Sequence, residues 1–235
     1  MSSPTKTVHE NGDEHWVLPD GRNHREDGPA VILSDGTQEW WFEGQRHRAY
    51  GPAVIEPDGK HKWYTNGLLH RADGPAVTYP NGTQEWWVGG ELHRDDGPAL
   101  VLPDGAQEWY FNNERHRADG PAVIRANGLQ VWWLNGKRHR EDGPALISPE
   151  GLKEWWIDGL LHRDDGPAIT KADGYQAWCA RGVLHRVDGP ALILADGTQE
   201  WFFNGHRHRV DGPAIIKPDG TQKWWIHGVR QPDPE

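Results

Sequence analysis

The chain has 235 residues, of which 35% are apolar, with a mean hydropathy of -0.85; that is thin for a large globular core, yet 15 Trp and 29 Gly exclude the composition of a disordered chain. Eighteen Pro scattered among those Gly leave little room for α-helix, so an all-β protein is expected. A formal net charge of -10 argues against nonspecific binding to nucleic acid or anionic membranes, and the single cysteine, Cys179, excludes an internal disulfide.

In chain order, residues 1–10 read as an N-terminal tail. The opening MSSPTKTVHENGDEHW has no apolar h-region, and no stretch is long and apolar enough for a transmembrane segment, so a soluble, cytoplasmic chain is expected. Residues 11–23 resemble the back half of a repeat, with Gly21 three places before His24, Trp16 one place early and Pro19 inside the strand; they are expected to form a degenerate N-terminal cap. A single repeat domain, 11–230, then carries nine copies of 23 residues starting at His24, His47, His70, His93, His116, His139, His162, His185 and His208. Trp keeps the same step from Trp40 to Trp224 and Pro from Pro29 to Pro213, with no insertion or deletion. Gln231 stands where a tenth His would fall, and 231–235 read as a C-terminal tail.

Each copy suggests two strands. In the His24 copy PAVIL is followed by the turn SDG, the aromatic run TQEWWF and the turn EG. Asp35-Gly36, Asp58-Gly59, Asn81-Gly82, Asn66-Gly67 and Asn204-Gly205 suit tight hairpin turns that need positive φ. Asp-Gly-Pro corners such as Asp73-Gly74-Pro75 form a third break, where Asp would bond its own backbone and Pro enters a strand without needing a donor. Strand alternation puts Trp40 on one face and Trp41 on the other, and equivalent rings two strands apart, roughly 9 to 10 Å, would be interleaved with Val, Ile or Leu as a striped core. The expected fold is an elongated, twisted or curved antiparallel sheet of tandem β-hairpins, about 80 to 90 Å long if the ladder is continuous. A closed ring or barrel is the alternative, and the exposed face is left open.

Segments such as Asn135-Gly136-Lys137-Arg138-His139 and Asn204-Gly205-His206-Arg207-His208, each followed by a Gly-rich corner, a short strand, a D-G or N-G turn and an aromatic strand, resemble MORN repeats over nearly the whole chain. The chain departs from that family in having Arg after the His (Arg48, Arg71, Arg94), and in its D-G-P-A corner and double aromatic. The resemblance implies β-hairpin arrays that serve as scaffolds and partner-binding surfaces, with lipid contacts proposed for some members, and no catalytic residue to carry over.

Nine His-Arg pairs raise metal and phosphate readings. Equivalent His residues two strand spacings apart cannot share one zinc ion, and only His206 and His208 are neighbours on a strand face. The structural expectation is that each His bonds the Asp of its own corner, His70 with Asp73 and His116 with Asp119, although Tyr50 replaces that Asp once. Isolated turn Asp residues lack the ligand density calcium needs. The Arg row is expected to form solvated ion pairs with the acids that follow it directly: Glu26, Asp95, Glu141 and Asp164. No cofactor or catalytic residue is assigned, because repetition spreads side chains evenly where a reaction needs one asymmetric pocket. The candidate binding residues are the variable second aromatic row, Trp41, Tyr64, Trp87, Tyr110, Trp133, Trp156, Phe202 and Trp225, interrupted by Cys179. The leading expectation is a non-enzymatic scaffold that binds a protein partner along an extended β surface. A glycan-binding module using that aromatic row is the rival, and a structural or engineered repeat without a dedicated ligand is the third reading.

Overall fold

A computed structural model of the chain describes residues 3–233 and divides them into two compact units that meet in sequence between Glu114 and Arg115. The described residues contain strands, turns and bends but no helix, and no helix is long and apolar enough to cross a membrane.

In unit one the ladder begins earlier than the sequence suggests. Residues expected to be tail form β1 (Thr5–Val8), which pairs antiparallel with β2 (Glu14–Val17). Thr5 and Thr7 can alternate with Lys6 and Val8 on an extended segment whose faces are both wet, which is what a ladder edge requires. Residues 1, 2, 234 and 235, at the ends of the expected tails, lie outside the described residues. The His24 copy then supplies β3 (Val31–Ile32), β4 (Gln38–Glu39), β5 (Trp41–Phe42) and β6 (Gln45–Arg46).

The expected two strands per copy are therefore four short ones, because TQEWWF breaks at its first Trp. The Trp40 N–H donates to Ala53 O of the next copy at 2.8 Å, while Trp40 O accepts from His47 N–H at 3.0 Å. One residue thus hands the chain from the ladder to a separate outer hairpin. β3 pairs with β4 inside the copy, and β4 pairs with β7 (Val54–Ile55) of the next, Glu39 facing Val31 on one side and Val54 on the other. β5 and β6 pair only with each other. In unit two the same ladder runs from Val123–Ile124 through to Gln222–Lys223, each copy zipped to the next. Within each unit no pairing among the described residues joins the last strand of the ladder to the first.

Two turn geometries alternate. The ladder hairpin turns on one left-handed glycine, as at Gly36 (φ +91°), whereas the outer hairpin needs two successive left-handed residues, Asn66 (φ 49°) and Gly67 (φ 81°). Asn-Gly suits the second kind, but Glu43, Asp158, Arg181 and His227 adopt the same conformation ahead of a glycine, each at a steric cost of roughly 1–2 kcal/mol.

The core is smaller than a striped aromatic core would be. The Ala of every D-G-P-A corner, from Ala30 to Ala214, is fully buried, joined by Val31, Val54, Val77 and Val123, whereas both Trp rows are only half-buried. Strands of two residues offer too little depth to enclose an indole, so the buried layer is built from small side chains and the rings lie over it.

Candidate functional site

The first aromatic row is held by the corner that follows it. Arg48 lies with its guanidinium carbon 3.9 Å from the Trp40 ring centre, and Arg140 sits 4.1 Å from Trp132, Arg163 4.2 Å from Trp155 and Arg209 4.2 Å from Trp201. The same Arg140 donates through Nε to Asp142 at 2.7 Å and through Nη1 to Pro144 O at 3.3 Å. Its other side is closed by Gly143, where an added Cβ would lie 3.1 Å from the guanidinium carbon. Gly143 does not share the left-handed φ of the turn glycines, so its role here is to leave room. The motif H-R-x-D-G-P is thus a clamp around a half-buried guanidinium.

This arrangement reverses the expected pairing. Where the pairings are seen among the described residues, the corner Asp goes to the Arg and the acid directly after the Arg goes to the His. Arg71 takes Asp73 at 2.8 Å, while His93 reaches Asp95 through Nε2 at 3.0 Å and His162 reaches Asp164 at 3.4 Å. The chain is extended here, and side chains two apart share a face, so each residue pairs two places on. The corner carboxylates, Asp27, Asp73, Asp96, Asp119, Asp142, Asp165 and Asp188, are all held below the usual carboxylate range, chiefly by the hydrogen bond from their Arg.

His has a second, cross-hairpin role that no sequence signal announced. His47 directly follows one outer hairpin, and its Nδ1 accepts the Asn66 N–H in the turn of the next at 3.2 Å; Gly89 with His70 and Asn204 with His185 repeat the bond at 3.2 and 3.1 Å. Beside it Gly67 N–H donates to Arg46 O at 2.9 Å. The His row therefore staples successive outer hairpins and satisfies a turn N–H that would otherwise face solvent alone. No group of three or more His, Cys, Asp or Glu that could hold a metal is gathered among the described residues.

In the His47 copy Tyr50 replaces the corner Asp. Arg48 keeps Trp40 and Pro52 O but has no carboxylate partner among the described residues, and burial alone holds its guanidinium below the usual arginine range. Tyr50 itself is 93% exposed, and Gly51, alone among the corner glycines, adopts φ +120°.

The second aromatic row lies on the opposite face of the outer hairpins, and much of its polar capacity is used inside the protein. Trp41, Trp87 and Trp156 each donate through Nε1 to the Glu two places earlier, Glu39, Glu85 and Glu154, at 2.8 Å; the Tyr110 hydroxyl reaches Glu108 at the same distance. Arginine fills in between rings: Arg46 stands 4.8 Å from the Trp41 ring centre and 5.7 Å from Tyr64, Arg138 5.7 Å from Trp133 and 5.1 Å from Trp156, and Arg207 5.5 Å from Phe202 and 5.7 Å from Trp225. Arg46 and Arg207 also bind the buried carboxylates Glu39 and Glu200 at 2.9 and 2.8 Å. Tyr79 shares Glu85 with Trp87, and burial with that hydrogen bond pushes its hydroxyl up to about 12. At Trp225 the pattern fails: Lys223 occupies the Glu position, and the buried indole N–H has no partner among the described residues. Cys179 interrupts the row as a buried thiol pushed up to about 11 by desolvation, packed with Ala168 and Ala177.

What remains exposed and apolar is elsewhere. Of twelve exposed large hydrophobic residues among those described, eight stand on the outer hairpins: Phe42, Leu68, Val88 and Phe111 in unit one, and Leu160, Val183, Phe203 and Val229 in unit two. Phe42 faces Gln45 across its hairpin and Leu68 faces Thr65, so both positions share the face opposite the second aromatic row. Sequence reading missed this row because a Phe or Val beside the indoles looks like more of the core.

No protein-family model matches the chain, and no curated protein matches it. Among solved structures it is similar to the TCP10 domain of Danio rerio CPAP in complex with a peptide of Danio rerio STIL, at 17% identity over 94% of this chain and 97% of that one, with a TM-score of 0.22. It is also similar to the G-box domain of the microcephaly protein CPAP, at 16% identity over 94% and 90%, with a TM-score of 0.14. At those scores neither likeness carries an argument about this chain.

Proposed function

We propose that the chain is a non-catalytic, MORN-like repeat scaffold that docks protein partners along its outer hairpins. The observation that carries this reading is the concentration of exposed apolar side chains there, on a chain whose surface is otherwise strongly polar; rows of that kind on a water-soluble protein are characteristic of binding surfaces. Local hydrogen bonds support it further, since ladder pairing and the His staples hold each hairpin in place and present a preorganised surface.

A glycan-binding role for the second aromatic row is the alternative, and one feature favours it: an open cleft of about 470 Å³ lined by Tyr64, Arg46, Glu39, Lys62 and Asp58. Titration with soluble glycans under Trp fluorescence separates the two. A saturable response that weakens in Trp87→Ala and Trp133→Ala would establish the glycan role and overturn the scaffold. No response, together with saturable binding of a defined protein partner that is lost in Leu68→Glu and Phe203→Glu, is the result expected.

A further inference from the structure

The outer-hairpin row is not the same in the two units, and the difference is one of charge. The hairpin segments of unit one, residues 42–45, 65–68, 88–91 and 111–114, contain three carboxylates, Glu43, Glu91 and Glu114, and no Lys or Arg. Those of unit two, residues 134–137, 157–160, 180–183, 203–206 and 226–229, contain Lys137 and Arg181 against the single carboxylate Asp158, with His206 and His227 besides. A uniform scaffold face would have no reason to divide its charge in this way along one chain.

The charges are also available. Glu91, Glu114, Lys137 and Arg181 are exposed and make no ion pair among the described residues, and Glu43 meets Arg22 only at 4.0 Å. The acids and bases recur alike, since Glu43 and Glu91 stand two copies apart along the chain and so do Lys137 and Arg181, one of each pair in the hairpin turn and the other on the strand that follows it. The copy between them is neutral in unit one, with Thr65, Asn66 and Leu68, and acidic in unit two, at Asp158, so laying one row against the other opposes no like charges there. Each row carries four exposed apolar side chains, one on each of four successive hairpins.

Resting on the scaffold reading above, we propose that the partner of this surface is a second copy of the same chain, the acidic hairpin row of unit one docking on the basic hairpin row of unit two in the other molecule. The apolar residues supply the contact and the charges set the pairing, because matching like rows, acidic on acidic or basic on basic, is disfavoured. Since the charges lie at the rim of a modest apolar stripe, association is expected in the micromolar range and to weaken with salt.

Sedimentation velocity on the full chain tests this. The expected result is a concentration-dependent shift from 26.6 kDa to twice that mass, or to higher multiples where the free rows of a pair recruit further copies, reversed by added salt. Phe203→Glu should abolish the shift while far-UV circular dichroism and Trp fluorescence stay unchanged. The pair Glu43→Lys with Glu91→Lys, and separately Lys137→Glu with Arg181→Glu, should each weaken self-association at least about tenfold. Mixing the two charge-reversed proteins should restore a dimer that neither forms alone, which a loss of folding could not do. A chain that stays monomeric at roughly 100 μM, well above the affinity expected of such a contact, overturns the proposal, as does a dimer indifferent to both reversals. If the monomer nevertheless binds a defined protein partner through Leu68 and Phe203, the second copy is ruled out as occupant and the scaffold reading stands; if it binds only soluble glycans, both fall.

Discussion

The two aromatic rows begin from neighbouring residues, Trp132 and Trp133 in one copy, and are stabilised in different ways. In the first row the ring is covered by a guanidinium about 4 Å away that is itself locked by an Asp, a Pro carbonyl and a glycine contact. Every part of that clamp comes from six consecutive residues, so losing one part loosens the rest, and within this chain the ring is always Trp. In the second row the ring tip reaches a carboxylate two residues away and an arginine from the end of the hairpin, and the members vary independently: Glu becomes Val131, Ala177 or Lys223, and Trp becomes Tyr64, Phe202 or Cys179. A cooperative clamp tolerates little change, whereas a set of separate pairs can be edited one at a time.

Truncating neighbours in one copy breaks the comparison most directly. Trp132→Ala should destabilise unit two by about 3 kcal/mol, because it removes the ring and unseats the Arg140 clamp, while Trp133→Ala, whose nearest guanidinium carbons lie 5.5 and 5.7 Å away, should cost less by at least about 1 kcal/mol. Equal losses in urea unfolding would erase the distinction. Next in size, Trp156→Phe should cost about 1–2 kcal/mol, since Glu154 keeps only the Arg138 contact at 3.3 Å once the indole N–H is gone.

Lys223→Glu runs the other way. It restores the missing acceptor beside the Trp225 N–H and should stabilise by up to about 1 kcal/mol, read as a raised unfolding midpoint; an unchanged or lowered midpoint would show that the second-row pairs contribute little. Tyr50→Asp should give Arg48 the carboxylate that the other corners have, for a gain of no more than about 0.5 kcal/mol at so exposed a position.

Sharpest in readout is the ionisation of Tyr79. With its hydroxyl donating to Glu85 it should ionise near 12 when absorbance is followed to alkaline pH. The folded-state value is raised, so the stabilisation is complete below the unfolded value near 10 and is lost as pH climbs from there towards 12. Corner carboxylates such as Asp73 and Asp142 behave oppositely. Their folded values are depressed, so their contribution is complete above the ordinary carboxylate range and fades as pH falls below about 4.

Much of the architecture was legible in the residues. The period, the absence of helix, the ladder from copy to copy and the left-handed turns at Asn66-Gly67 and Asn204-Gly205 follow from spacing and turn chemistry. The exchange of partners between His and Arg was missed, although the two-residue alternation of an extended chain contains the information: Arg71 and Asp73 share a face, and His70 and Asp73 do not. The break at the first Trp and the fourfold splitting of each copy were not legible. TQEWWF is as good a continuous strand as it is two halves, and only the competing claims of Ala53 O and His47 N–H on Trp40 divide it.

Local chemistry thus specified the repeated unit: which residues turn, which extend, and that successive copies must pair, since these depend on backbone sterics and spacing that any short segment carries with it. Tertiary structure alone decided that the buried layer is alanine and valine with the indoles lying over it, and that the apolar side chains of the outer hairpins are left to the solvent. The physical reason is that burial belongs to the neighbours. A Phe next to a Trp is core or surface according to what the adjoining copies lay across it, and that is fixed only when the copies are stacked.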